Sequence, residues 1–162
     1  MTRILGEAGS VVEATPKVLA AIGDTLGWET GAIWGVDRQA NRVRCIATWQ
    51  APGREFPRFE AVTRSVTLAP GIGLPGRVWA SGAPAWIPDV TKDKNFPRAA
   101  AARLEGLHGA VRSPIRLGEQ ILGVIEFSSA EIRAPDEAVI RLMSTVGGQM
   151  GQFIERKRAE DE

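Results

Sequence analysis

Two neighbouring segments of the chain carry polar side chains in an alternating pattern that suits the binding of a charged group. Residues 107–116 and 120–128 have the composition of strands and flank a tight turn. Because successive side chains of a strand point to opposite sides, residues at every second position share one side, which we call a parity; one set of polar side chains lies on a single parity. The residues of this parity are His108, Ala110, Arg112, Glu126 and Ser128, and all of them except Ala110 are polar. A guanidinium can hold a carboxylate or a phosphate through paired hydrogen bonds, and an imidazole can ligate haem iron or titrate near neutral pH.

Each of these residues also has a purely structural interpretation. Arg112 and Glu126 could form a cross-strand ion pair, which would contribute less than about 1 kcal/mol at an exposed position. His108, the only histidine, could be half-buried and hydrogen-bonded. The opposite parity of both strands is aliphatic, which predicts that this side packs against helices.

Composition sets the limits for the rest of the chain. The 162 residues suffice for one domain, and a net charge of +1 gives no electrostatic case for nucleic acid or an anionic membrane. Cys45 is the only cysteine, which excludes a disulfide scaffold. No apolar stretch is long enough to span a bilayer, and the N-terminus lacks a signal-peptide core. We therefore expect a cytoplasmic protein.

Periodicity predicts helices at both ends and strands between them. One helix is expected near the N-terminus, and a second begins at Thr15 as N-cap with Pro16 in its first turn. Strands are predicted over 31–36, 43–49 and 62–68, and a final helix near Pro135. Adjacent hairpins favour an antiparallel sheet, and the class is α+β with helices on one face.

Two stretches resemble the signature of the GAF domain. Residues 71–79 read GIGLPGRVW and residues 82–89 read GAPAWIPD, similar to the family's G-x-G-L-x-G-x-V, G-x-P and I-x-D elements. Residues 106–115 and 123–127 resemble its paired central strands. The first stretch also spells the dinucleotide motif G-x-G-x-x-G, but no parallel βαβ unit surrounds it. Structural glycines in a tight turn are the favoured interpretation.

The resemblance implies a GAF-like fold, related to the profilin and PAS folds. It has a central antiparallel sheet of five to six strands, terminal helices on one face and a ligand pocket on the other. We expect a linker or dimerisation helix over 1–14, the GAF domain over 15–155 and the start of a signalling linker over 156–162.

The same resemblance places the pocket on the polar parity, under a roof formed by residues 70–107. Arg112 would then anchor a carboxylate or phosphate. The predicted lining is Trp86, Phe96, His108, Ala110, Arg112, Glu126 and Ser128. The cofactor is unknown. Haem ligation by His108 is a minor alternative, and residues 89–107 contain no cysteine for a covalent bilin.

The function implied is that of a sensory module in a bacterial signalling protein, such as a sensor histidine kinase of a two-component system. It would bind a small ligand, form a homodimer through its terminal helices and pass the signal to a covalently linked kinase, PAS or cyclase domain. The alternative is an interaction module that binds no ligand. An enzyme is not expected. A free methionine sulfoxide reductase would need a second cysteine, and nothing orients Ser113, His108 and Asp89 as a triad.

Overall fold

The computed structural model describes residues 11–161, with six strands and five helices in an α+β arrangement. The helices are α1 (Val11–Leu26), α2 (Pro57–Ser65), α3 (Gly73–Ser81), α4 (Ala99–Glu105) and α5 (Glu137–Asp161). The strands are β1 (Thr30–Asp37), β2 (Arg42–Gln50), β3 (Thr67–Leu68), β4 (Ala85–Ile87), β5 (Gly109–Leu117) and β6 (Gln120–Ser129). A single 3₁₀ turn, Val90–Lys92, lies between β4 and α4.

The strands form one sheet in the order β3-β2-β1-β6-β5-β4, and every neighbouring pair is antiparallel. The two hairpins, β1-β2 and β5-β6, were predicted from their turns. Their association through β1 and β6 joins strands from distant parts of the chain, with Ala32 opposite Glu126. The predicted antiparallel sheet of five to six strands is confirmed.

One face of the sheet, here called the helix face, is covered by α1 and α5. The inward stripe of each helix meets the aliphatic parity of the central strands, because both patterns bring apolar side chains to one side. The helix-face core consists of Val18, Leu19, Ile22, Trp28, Ile33, Ala47, Val111, Ile115, Ile125, Phe127, Met143, Val146, Met150 and Phe153. The expected covering of one face by the terminal helices is confirmed.

The opposite face, here called the roof face, is covered by α2, α3 and α4. Two apolar clusters fill the space beneath them, one around Phe59 and Phe96 and the other around Trp34 and Val78. The three helices are short, with nine, nine and seven residues. The roof therefore depends on contacts with the sheet, since isolated helices of this length are not stable in water.

The strand predicted over 62–68 is wrong for most of its length. Pro57 occupies the first turn of a helix that continues to Ser65, and only Thr67–Leu68 pair with β2. Phe59 and Thr63, four residues apart, are the buried side chains of this helix. Their helical spacing decides the structure, because both reach the roof-face core only if the segment is a helix.

The helix start predicted at Thr15 is also wrong. Helix α1 runs without interruption from Val11 to Leu26 with Pro16 inside it. Residues 1–10 lie outside the described part of the chain, so most of the predicted separate helix over 1–14 does so too.

Helix α5 lies unusually close to β5. A Cβ atom on Gly147 would collide with the carbonyl oxygen of Pro114, and one on Gly151 with that of Arg116. Two glycines one turn apart therefore let the helix backbone rest directly on the strand backbone. Among the described residues, no helix is both long and apolar enough to cross a membrane.

Candidate functional site

Three charged side chains meet in the interior of the roof face. Arg112 on β5 and Glu126 on β6 lie directly opposite each other in the strand register. Arg98, the residue just before α4, reaches down from the roof to the same carboxylate. Their side chains are 0%, 2% and 1% exposed, respectively. We call Arg98, Arg112 and Glu126 the ionic cluster.

Arg98 holds Glu126 in a two-pronged arrangement. Its Nη1 donates to Oε2 at 2.9 Å and its Nη2 donates to Oε1 at 3.0 Å. Nη1 also donates to the Thr63 hydroxyl on α2 at 2.9 Å, and Trp34 Nε1 donates to Glu126 Oε1 at 2.7 Å. The carboxylate is thus bound by charge-assisted bonds from above and from the sheet, which are stronger than neutral ones.

Arg112 donates most of its hydrogen bonds to the backbone. Its Nη1 donates to the carbonyl oxygens of Phe127 at 2.7 Å and Val111 at 3.0 Å, and its Nη2 donates to the Ser128 hydroxyl at 3.4 Å. Its Nε lies 3.0 Å from Glu126 Oε1 without a well-aligned hydrogen bond. The cross-strand ion pair left open by the sequence is therefore present, and it is buried.

Aromatic rings surround the guanidinium of Arg98. Its Cζ lies 5.0 Å from the ring centroid of Trp34, 4.9 Å from that of Phe59 and 5.2 Å from that of Phe96. All three distances are within cation–π range. We call Trp34, Phe59, Phe96 and the Glu126 carboxylate the guanidinium cage.

The electrostatic balance keeps Arg112 and Glu126 charged at neutral pH. Burial pushes the pKa of Glu126 upward, but Arg112, Arg98 and the bonds from Arg98 and Trp34 outweigh it and hold that pKa below its usual range. Burial lowers the pKa of Arg112 to about 10, although Glu126 opposes the change. Two guanidiniums thus face one carboxylate, and the cluster carries one positive charge in excess at neutral pH.

The site is closed. Beside the cluster lies a void of about 10 Å³, lined by Thr30, Gly31, Ala32, Thr48, Phe59, Glu60, Thr63 and Glu126. This volume is at the lower limit for a single water molecule. A larger cleft, of about 370 Å³ beside Asp89 and Ile132, is an open groove on the outer surface.

The structure brings five of the seven predicted lining residues together. Arg112 and Glu126 are in the ionic cluster, and Ser128 contacts it. Phe96 is in the cage, and Ala110 is buried in the same apolar cluster as Phe96.

The other two predicted residues lie elsewhere. Trp86 sits on the helix face, where its ring meets Trp28 edge-on at 5.5 Å and its Nε1 donates to the carbonyl of Arg133. It is opposite Val111 in the register, so it shares the parity that turns away from Arg112. The sequence predicted that Trp86 lies in an extended segment. It did not reveal the partner strand, whose register determines the face of the sheet on which the Trp86 side chain lies.

His108 stands just before β5 rather than within it. Its Nδ1 lies 3.0 Å from Asp89 Oδ1, and the ring is 33% exposed. Asp89 also accepts from the backbone and hydroxyl of Thr91. Burial raises the pKa of Asp89, but these bonds and His108 outweigh it, so the pKa lies below its usual value. His108 joins the start of β5 to the 3₁₀ turn, and it does not line the void beside the ionic cluster.

Four residues of the site were missed by sequence analysis: Arg98, Trp34, Phe59 and Thr63. Trp34 has the same parity in β1 as Ala32, which faces Glu126, so the strand pairing would have located it. Arg98 opens an alanine-rich helix and has no periodic signal. Thr63 falls in the segment wrongly predicted as a strand.

The glycine-rich turn of residues 71–76 is structural. Gly71 and Gly73 have φ of +84° and +70°. The side chain of Asn95 joins them, since its Oδ1 accepts from Gly73 N at 2.9 Å and its Nδ2 donates to Gly71 O at 2.9 Å. A side chain of the protein already occupies the backbone amide that a phosphate would need.

Neither candidate nucleophile is arranged for catalysis. Burial raises the pKa of Cys45 to about 11, so its thiol is protonated at neutral pH. Ser113 is fully buried on the parity of Val111 and makes no hydrogen bond through its hydroxyl. His108 and Asp89 lie at the end of the sheet. In residues 11–161, no three potential metal-ligating side chains of the His, Cys, Asp and Glu types cluster together.

A curled antiparallel sheet with terminal helices on one face and a short-helix roof on the other defines a class of small α+β domains. The family model described as "GAF domain" matches residues 8–155, and the chain belongs to this family. A search of curated proteins finds no match.

Solved structures share the fold at low sequence identity. The GAF domain from a phosphoenolpyruvate-protein phosphotransferase (ptsP) of Coxiella burnetii is 19% identical, with a TM-score of 0.83 over 99% of this chain and 91% of that one. The A. aeolicus nlh2 GAF domain in an inactive state is 23% identical, with a TM-score of 0.75 over 96% and 91%. A free methionine-R-sulfoxide reductase from Neisseria meningitidis, in complex with its substrate, is 14% identical, with a TM-score of 0.80 over 98% and 86%.

Proposed function

We propose that this GAF domain is a sensory module of a cytoplasmic bacterial signalling protein, such as a sensor histidine kinase. It binds a small ligand on the roof face and passes the change through its terminal helices to an output domain. It acts by binding and not by catalysis. The ionic cluster is the observation that carries this proposal.

Three buried charges are an inefficient way to stabilise a core. Replacing a buried ion pair with well-packed apolar residues is often neutral or stabilising by 1–4 kcal/mol. The cluster also buries one uncompensated positive charge. Such an arrangement is open to rearrangement by a ligand, because a partner that takes over the bonds of one charged group alters the relative stability of the closed and open roof.

The contact between β5 and α5 supports the route to an output domain. Arg112 is on β5, and Gly147 and Gly151 rest against the backbone of that strand two to four residues further on. A shift of β5 cannot be absorbed by flexible side chains there, since backbone meets backbone. It therefore moves α5, whose last turns contain most of the predicted linker over 156–162.

A second candidate function is supported by the closure of the site. With a void of only about 10 Å³ beside the cluster, the domain would serve as an interaction module whose cluster simply fixes the roof. Leu142 on α5 is 42% exposed and offers an apolar contact for a second copy. In this case dimerisation is the function and no ligand is bound.

One experiment separates the two functions. We would record the absorption spectrum and native and denaturing mass spectra of natively purified protein, beside Arg112→Ala and the control His108→Ala. A co-purified compound that is lost in Arg112→Ala and kept in His108→Ala supports sensing, because only Arg112 belongs to the cluster. Protein without any compound, with a dimer that is lost in Leu142→Glu, supports the interaction module.

A further inference from the structure

The guanidinium cage has the features of a ligand site whose occupant is a side chain of the same protein. Arg98 enters from the roof, outside the sheet that supplies Trp34 and Glu126. Its flat head lies among three aromatic rings at 4.9–5.2 Å and meets both oxygens of one carboxylate. Cation–π contact with several rings, combined with a two-pronged carboxylate, favours a guanidinium over an ammonium group.

We propose that the roof-face site binds ligands that carry an alkylguanidinium head, and that they enter by displacing the side chain of Arg98. This inference rests on the proposed sensory function and names its ligand class. The closed site shows that a second guanidinium is tolerated beside Arg112, because Arg98 already fills that position.

Departure of Arg98 leaves a space suited to such a head. Glu126 retains Arg112 and the Trp34 indole as partners, so the carboxylate remains in place. The Thr63 hydroxyl becomes an open acceptor, and the rings of Trp34 and Phe59 stay on β1 and α2. A free anion would have fewer favourable contacts in this space. The Nη1 of Arg112 already donates to two backbone carbonyls, and the charge of Arg112 is balanced by Glu126.

Displacement also explains how binding would produce a signal. Arg98 immediately precedes α4, and its side chain joins α2 through Thr63 to the sheet through Glu126. When a ligand takes over these bonds, the hydrogen bonds that tie the start of α4 to Glu126 are lost. The roof is then free to change its position relative to β5 and β6.

The test uses ethylguanidinium as the probe and N-ethylurea as its uncharged, similarly shaped control. Binding is measured by calorimetry and by chemical-shift changes of the tryptophan indole N–H groups at millimolar probe. We expect saturable binding of ethylguanidinium to the wild type, with the Trp34 indole signal shifted, and no comparable binding of N-ethylurea or of ethylammonium.

Two variants test the displacement itself. In Arg98→Ala the internal competitor is gone, and affinity should rise at least about tenfold, because an open state populated at 10% or less weakens wild-type affinity by that factor. Arg98→Ser, whose short side chain also leaves the cage empty, is used in the same way if the alanine variant fails to fold. In Glu126→Gln the binding should be lost, and in the exposed control Glu119→Gln it should be unchanged.

Several results would overturn the inference. They are equal binding of N-ethylurea, binding that survives Glu126→Gln, and a folded Arg98 variant that gains no affinity. Binding to Arg98→Ala with none to the wild type would also overturn it, since Arg98 would then be a permanent closure. A co-purified ligand without a guanidinium group, lost in Arg112→Ala, would refute this ligand class and leave the sensory function standing.

Discussion

Exchange of Glu126 for glutamine isolates the charge of the ionic cluster, because the two side chains have nearly the same shape. The glutamine amide carries no charge, and its NH₂ group turns at least one donor toward guanidiniums that are themselves donors. Arg98 and Arg112 would then be two buried cations without a counter-ion. Breaking a buried pair by removing one partner typically costs about 3–5 kcal/mol, and we expect a loss of free energy of unfolding in this range.

Exchange of Arg98 for methionine should have a smaller effect, although it removes more hydrogen bonds. Methionine keeps apolar volume between Trp34, Phe59 and Phe96 and makes favourable sulfur–aromatic contacts. The cluster becomes a balanced Arg112–Glu126 pair. We expect a loss of about 1–2 kcal/mol from the Glu126 and Thr63 bonds.

The double variant gives the sharpest result. Arg98→Met destabilises the wild type, but in a Glu126→Gln background it removes one of two unpaired cations. The second exchange should therefore be neutral or stabilising there, with a coupling energy of at least about 1 kcal/mol. Urea unfolding at pH 7, followed by tryptophan fluorescence, measures all four proteins, and Glu119→Gln at the exposed turn should stay within about 0.5 kcal/mol of wild type.

Additive losses, or a Glu126→Gln variant no less stable than Arg98→Met, would refute this reasoning. The cluster would then act through packing and shape. Its excess charge would have no energetic consequence, and the main support for a ligand-sensitive site would be gone.

Three further predictions concern the scaffold. Gly151→Ala should lower the melting temperature clearly because its Cβ meets the carbonyl of Arg116, whereas Gly148→Ala in the same helix, with open space around its Cβ, should raise stability by about 0.5–1 kcal/mol. Asn95→Ala should lower the free energy of unfolding by about 1–3 kcal/mol in urea titrations, since two backbone groups of the glycine turn lose their partner; full stability would show that water replaces the amide. Asp89→Asn should have a lower free energy of unfolding than wild type at pH 7. Because the pKa of Asp89 is lower in the folded than in the unfolded protein, its charge stabilises the fold fully above the unfolded pKa, and this stabilisation is lost as the pH falls through the folded pKa. The difference between the two proteins should therefore vanish at low pH, and a difference that persists there would assign the effect to shape.

Local patterns were sufficient for much of the fold. Side chains alternate along a strand for covalent reasons, so the shared polar parity of Arg112, Glu126 and Ser128 followed from the residues alone. The stops at Gly82 and Gly106 were also predictable, because both adopt the left-handed conformation that ends a helix, with φ of +69° and +77°. Asp136 caps α5 through its side chain close to the predicted start at Pro135.

The predictions failed where a long-range contact decides the structure. The segment over 62–68 alternates like a strand, but Phe59 and Thr63 gain burial only as neighbours on a helix over the sheet. The parity of Trp86 depends on its pairing with Val111, and three-residue strands carry too few side chains to reveal it.

The sequence by itself determined the family, the antiparallel hairpins and the polar side of β5 and β6, because these follow from residue order and strand geometry. The tertiary structure decided what that polar side contacts. Arg98 lies 14 residues before Arg112 and 28 before Glu126 and has no periodic pattern; only the packing of α2 and α4 over the sheet brings its guanidinium to the carboxylate. The contact that closes the site is therefore a property of the folded roof, since no local preference of the chain encodes it.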